Sequence, residues 1–322
     1  MKVSNGIKIA IANKPLCYKT LFSRTLISMI LTATCFLVAS IIINDVMQSE
    51  AYKEFIQFMR TFIKNFVTLQ DETNANFASG LNTHLSAIFE VVKSRLGVVI
   101  TVFVSILLLI QIAKFVTSLC DYVVAVNVNE HMSSLRHAKF FSTLIEHLKP
   151  AIKYSLYCVL SLFLYNVVII SISILLFVVF IQFAGVYTLS IVLAFVLFAD
   201  ALRLTFVGMI PAKMVCENSN VISAFRSSFK GLKFKVMLER FISYFKMRII
   251  HIVVTCVAAT FTFGVSVIVT IPLFSVAYIA VRFVDYYTAT IKKYYVNFDN
   301  IVVPKELRTK GEQLLNEVDV DA

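Results

Sequence analysis

The stretch MIPAKMVCENSNVISAFRSSFKGLKFKVMLERFISYFKMR, Met209 to Arg248, decides how this chain is read. It lies between two long apolar runs. It carries Lys213, Arg226, Lys230, Lys233, Lys235, Arg240, Lys246 and Arg248 against only Glu217 and Glu239. Val221, Phe225 and Phe229 recur at a helical spacing, as do Met237, Phe241 and Phe245, so each half presents one apolar stripe on a helix. Asn218 to Asn220 supply cap residues, and Gly231 separates the halves. A basic amphipathic segment between spans predicts a cytoplasmic elbow over residues 207–248. Its apolar face would lie in the membrane interface, with Arg226, Lys230, Lys233 and Lys235 among anionic inner-leaflet headgroups. A helix packed beneath the bundle with solvated charges fits the same pattern equally well, because an apolar stripe does not distinguish lipid from protein.

Outward from this elbow, the composition places the chain in a bilayer. Of 322 residues, 59% are hydrophobic and 15% charged, against about 25% charged in a soluble domain. The mean hydropathy is +0.83. The net charge of +11 gathers beside apolar runs, so it speaks to topology and not to nucleic acid. None of the six cysteines forms a CxxC pair, and Cys35, Cys158 and Cys256 fall inside expected spans, where a thiol is a small apolar filler. No disulfide framework is expected.

Four runs are long enough to span: Leu26–Ile43, Gly97–Leu119, Tyr154–Gln182 and Val186–Phe206. Ile249–Ala280 is too long for one untilted span, and a break near Thr262 to Val265 divides it into two. The fold class expected is therefore all-α, a single polytopic membrane domain over 1–322 with about six transmembrane helices. Residues 1–24 read as a basic cytoplasmic arm before a retained first span, not a cleaved signal peptide. In 44–95, Phe55, Met59, Phe62, Phe66 and Leu69 form one stripe, and Phe77, Leu81, Leu85, Ile88 and Val92 form another. With Gln70–Asn76 as the turn, this is an extracytoplasmic helical hairpin. Residues 120–153 read as a solvated polar connector, and 286–322 as a cytoplasmic tail ending in a short helix. Of the 30 Lys and Arg, 25 then fall on the side of both termini, which places both termini in the cytoplasm.

Candidate chemistry is sparse. Asp200 and Arg203 are three apart near the inner end of the fourth span and share a helical face. An intramembrane ion pair is either a functional site or a structural pair facing the bundle. Glu130, His131, His137, Glu146 and His147 lie in the connector, but their spacing does not align metal ligands on one face, and no HExxH occurs. His251 reads as an interfacial residue. No Walker A, GxSxG or Gly-rich nucleotide loop is present. No catalytic residue, metal or cofactor is assigned.

The string Ile210 to Gly231 carries Pro211, Glu217, Ala224, Arg226, Ser227, Ser228, Lys230 and Gly231 in an order that resembles a motif of bacterial six-span membrane proteins. That family includes the membrane domain attached to some glycerophosphodiester phosphodiesterases and Firmicutes proteins of unsettled role. Val284-Asp285-Tyr286-Tyr287 is similar to the end of that family's last helix. The likeness covers about forty residues of the chain. It implies an architecture, not an activity, because no stretch is long or polar enough for the phosphodiesterase barrel. The expected function is a non-enzymatic accessory or scaffold of a bacterial plasma membrane, binding lipid, a protein partner or a second copy of itself. The alternative is a permease-like transporter subunit working with a separate ATPase, since exporter-type permeases dock their ATPase through connectors placed like these.

Overall fold

The computed structural model describes residues 2–67, 73–136, 139–230 and 233–307. The chain is almost entirely helical: α1 (Lys2–Ala12), α2 (Lys14–Gln48), α3 (Glu50–Val67), α4 (Thr73–Ser94), α5 (Leu96–Ser134), α6 (Phe140–Glu146), α7 (Leu148–Ala184), α8 (Thr188–Val207), α9 (Ile210–Glu217), α10 (Val221–Phe229), α11 (Phe234–Phe261) and α12 (Val267–Ala289). One hairpin, β1 (Tyr294–Asn297) with β2 (Asn300–Val302), follows α12. Six helices are long and apolar enough to cross a membrane: α2, α5, α7, α8 with α9, α11 and α12. The chain is an all-α multi-pass membrane protein. Three long helices overrun their apolar cores. α2 begins at Lys14, α5 continues to Ser134, and α11 begins at Phe234, before the expected Ile249. A helix has no reason to stop at the end of an apolar run when its polar end still has a packed face. The expected break is present: α11 ends at Phe261 and the chain turns through Gly264, at φ 88°, a backbone angle that suits glycine.

The described residues form two compact units. In the unit Ile27–Ala113, α3 and α4 make the expected helical hairpin. Phe62 stacks on Phe77 at 3.9 Å between ring centres, and Phe58 lies 5.8 Å from the same ring. Of the expected turn, residues 73–76 are helical and begin α4, while 70–72 lie outside the described residues. Arg95 and Asp45 pair at 3.8 Å, both well exposed, which contributes little.

In the other unit, α12 is the core: 61% of its apolar window is buried, against none of the corresponding window of α7. α7 instead exposes Leu156, Leu160, Leu164, Val168 and Leu175, a surface made for acyl chains. α1 lies across α12. Gly6 lets the backbones approach, because a Cβ there would collide with Val281 Cγ2 and stand 3.0 Å from the Val281 backbone nitrogen. With Ala10 one turn on, this is small-residue helix packing of the kind used within membranes. Ile9 and Ala10 are fully buried. The polar arm expected over residues 1–24 is thus a core helix: its lysines alternate with a face of Gly6, Ile9 and Ala10 that needs covering.

Two other expectations change. The connector 120–153 is not a solvated loop. Its first part continues α5, and Tyr122 to Val126, Val128, His131 and Met132 are buried. His137 lies outside the described residues. The tail does not begin at Tyr286, which with Tyr287 is buried inside α12. It continues into the β hairpin, where Tyr294 accepts a hydrogen bond from Asn5 Nδ2 at 2.9 Å. Burial raises the Tyr294 phenol above its usual range, so it stays neutral against α1. The short terminal helix expected in 308–322 falls outside the described residues.

The close approach at Gly6 makes a prediction. Gly6→Leu should destabilise the protein by about 1–3 kcal/mol through overpacking, since the nearest obstacle includes backbone. Gly97→Ala, with nothing within 4 Å, should be neutral or slightly stabilising. Thermal unfolding of both variants in one detergent checks the contrast, and equal melting temperatures would reject it.

Candidate functional site

α7, α8 and α11 enclose a groove of about 800 Å³ within the spans. Each wall follows from helical spacing. α8 contributes Val192, Val196 and Leu197 above Asp200, and α11 contributes Ile252 beside Arg248 and His251. α7 adds Tyr165, Ile169 and Ile170. Apolar side chains line most of its length, and the charged groups gather at the end where α8 finishes and α11 enters.

That end is a clasp. Arg203 Nη2 donates to Asp200 Oδ1 at 2.7 Å and its Nε donates to the same oxygen at 3.1 Å. Arg248 of α11 pairs with Asp200 Oδ2 from the other side. The Arg203 guanidinium lies 5.0 Å from the ring centre of Tyr165, and that of Arg248 lies 4.6 Å from Tyr278. His251 stacks on Phe274 at 4.5 Å. A lone carboxylate at this depth would be strongly disfavoured, and two guanidiniums resting on aromatic faces offset that cost. Two cations against one anion leave the clasp net positive. The Nε of Arg248 and the Oγ of Ser173 on the groove wall have no hydrogen-bond partner among the described residues.

The structure therefore brings the expected pair, Asp200 and Arg203, together and adds Arg248, one of the elbow's cations. Arg248 was not visible as a partner because it is 45 residues from Arg203 and meets Asp200 only once α8 and α11 pack side by side.

The elbow divides differently from the two equal stripes expected. Asn218 ends α9 in the left-handed region at φ 48°, and Asn220 begins α10. α10 turns Val221, Ala224 and Ser228 inward, while Phe225 and Phe229 remain partly exposed and lean on Tyr157 and Phe206. The second stripe belongs to α11 itself, where Arg240, Tyr244 and Met247 are buried. Gly231 lies outside the described residues. Arg226, Lys230, Lys233 and Lys235 are all exposed around the α10–α11 junction, and none joins an ion pair among the described residues. Ile222 and Phe234 are exposed beside them, at 69% and 72%.

Comparison with known proteins gives no match to any family model, curated protein or solved structure. The geometry gives the residues of the noted resemblance a structural part. Tyr286 donates to Glu217 Oε1 at 3.0 Å, binding α12 to the end of α9. Tyr287 and the Cys216 thiol both donate to Asn129 Oδ1 at 3.0 Å, binding α12 and α9 to α5. Asp285 accepts from Lys2 Nζ at 2.5 Å, and Arg240 Nε lies 2.8 Å from its other oxygen, an ion pair not aligned as a hydrogen bond. Arg24 donates to Asp121 at 2.7 Å. Each buried or half-buried carboxylate named here already has a cation or a phenol against it.

Proposed function

We propose that this chain is a non-enzymatic protein of a bacterial plasma membrane, accessory or scaffolding in role, that holds an anionic phospholipid in the groove between α7, α8 and α11. The observation that carries this reading is the net-positive clasp of Asp200, Arg203 and Arg248 at one end of an apolar groove within the spans. Apolar walls suit an acyl chain, and a guanidinium suits a phosphate oxygen. The volume lies within the roughly 300–1,000 Å³ typical of ligand sites. The exposed cations Arg226, Lys230, Lys233 and Lys235 support it as a second, looser contact with anionic headgroups, each adding about 1 kcal/mol near a charged leaflet. Both termini then face the cytoplasm, where anionic lipid is met. The likeness of Ile210–Gly231 to bacterial six-span proteins agrees with this placement.

The test is thermal unfolding of the full chain in uncharged detergent, titrated with phosphatidylglycerol or phosphatidylcholine. The anionic lipid should raise the melting temperature saturably and the zwitterionic lipid should not. Val196→Phe, which narrows the groove one turn from Asp200, should abolish most of that gain. An equal response to both lipids, or of the parent and the narrowed groove, would reject the reading.

A permease-like subunit working with a separate ATPase is the second reading. It is favoured by α10, a short helix between the fourth and fifth spans that packs inward through Ala224 and leaves Ile222 and Arg226 outward for another protein. Recovery of an ATPase with the chain from mild detergent would support it.

A further inference from the structure

We propose that the first turns of α7 and α10 form a separate site for a phosphate group. A pocket of about 210 Å³ lies there, lined by Tyr122, His147, Lys149, Lys153, Ser219 and Asn220 among others, with no Asp or Glu in its wall. It shares no residue with the groove between α7, α8 and α11, so the two sites stand or fall separately.

Local structure explains why positive potential collects at this point. Lys149 and Lys153 are four apart in the first turns of α7, so both project from one face. His147 precedes that helix and is half-buried. Opposite them α10 begins. Its N-cap, Asn220, makes no side-chain capping bond, so the first-turn N–H groups have neither an intrahelical acceptor nor a cap. A helix N-terminus also carries a partial positive charge. The Ser219 hydroxyl is shielded from solvent and has no hydrogen-bond partner among the described residues.

Solvated lysines at a surface are ordinary, but these are arranged otherwise. Two ammonium groups, an imidazole and a helix N-terminus converge on one concave polar space without an acid to balance them. Lys149 and Lys153 join no ion pair among the described residues. The donors outnumber what the two oxygens of a carboxylate can accept, whereas a phosphate offers three or four oxygens at tetrahedral angles. The space equals that of about seven liquid waters, enough for one phosphate group. The phosphate could come from a free solute or from a lipid headgroup, and the same chemistry recognises both.

The experiment uses the full chain in uncharged detergent. Binding is read by calorimetry and by melting temperature, with inorganic phosphate in one arm and short-chain phosphatidic acid in the other, each against chloride at matched ionic strength. Saturable binding of inorganic phosphate identifies a solute site; binding of phosphatidic acid alone identifies a headgroup site. In either case Lys149→Ala/Lys153→Ala should weaken affinity about tenfold or more. Its unliganded melting temperature should hold, because both side chains are exposed. Lys149→Arg/Lys153→Arg should retain binding, and Val196→Phe, which alters the groove, should leave the response to inorganic phosphate unchanged. Lys53→Ala, an exposed cation that lines neither the pocket nor the groove, should leave affinity unchanged. No saturable response to either probe, or the same affinity in the parent and the double alanine variant, would overturn the proposal.

Discussion

Asp285→Ala should be among the most damaging single substitutions in this protein, lowering stability by about 3–5 kcal/mol. The side chain is 4% exposed and faces Arg240, itself 7% exposed, as well as Lys2. Removing the carboxylate leaves the Arg240 guanidinium in the core of α11 and α12 with no counter-charge. That penalty is much larger than the net worth of the intact pair. It also removes the hydrogen bond that ties Lys2, at the first turn of α1, to α12. Lys2→Ala should cost far less, about 1 kcal/mol or below, because Lys2 is 20% exposed and its partner retains Arg240. Arg240→Met with Asp285→Leu should recover much of the loss, since it removes both buried charges and the remaining lysine can reach solvent. Thermal unfolding in one detergent gives the order. Equal melting temperatures for Asp285→Ala and Lys2→Ala would show that burial at Asp285 does not control stability.

The parts of this fold that were legible before the structure are those fixed by local chemistry. An apolar run of sufficient length becomes a span whatever surrounds it, so all six spans and the break after Phe261 could be read directly. The hairpin of α3 and α4 was legible from apolar spacing, and Phe62 of one expected stripe does meet Phe77 of the other, with Phe58, outside both stripes, on the same ring. Asp200 with Arg203 was legible because both lie on one helix, three residues apart. What failed depends on partners distant in sequence. In α1 the lysines dominate the composition, and the packing face of Gly6, Ile9 and Ala10 becomes meaningful only once α12 is beside it. In the sequence Asp285 is one residue of the string Val284–Tyr287, and only the packing of Arg240 and Lys2 against it makes it a buried junction. The β hairpin had a usable local signal in Tyr294–Val296 and Ile301–Val302, aromatic and β-branched residues on either side of a two-residue turn at Phe298 and Asp299. An all-helical expectation passed over it.

Asp200→Ala is the second large effect, and it tests the groove as well as the fold. Asp200 is 15% exposed, with Arg203 at 22% and Arg248 at 28%. Loss of the carboxylate leaves two guanidiniums facing each other, at a cost toward the low end of the buried-pair range, about 3 kcal/mol. Asp200→Ala with Arg203→Met should recover only part of this, because Arg248 is still unpaired. The triple change that also carries Arg248→Met should come closest to the parent, with the single variant lowest in melting temperature. Equal values for all three would mean that the clasp is solvated and energetically idle. The groove adds a consequence that packing alone does not. Without Asp200 the charged end bears two cations and no anion, so an anionic phospholipid should bind the single variant more tightly than the parent. A ligand stabilises the folded state in proportion to its affinity. Phosphatidylglycerol should therefore raise the melting temperature of Asp200→Ala by more than it raises that of the parent, and should do nothing selective for the triple variant. If phosphatidylglycerol shifts all three alike, the lipid is not reading Arg203 and Arg248, and the clasp is a structural ion pair between α8 and α11.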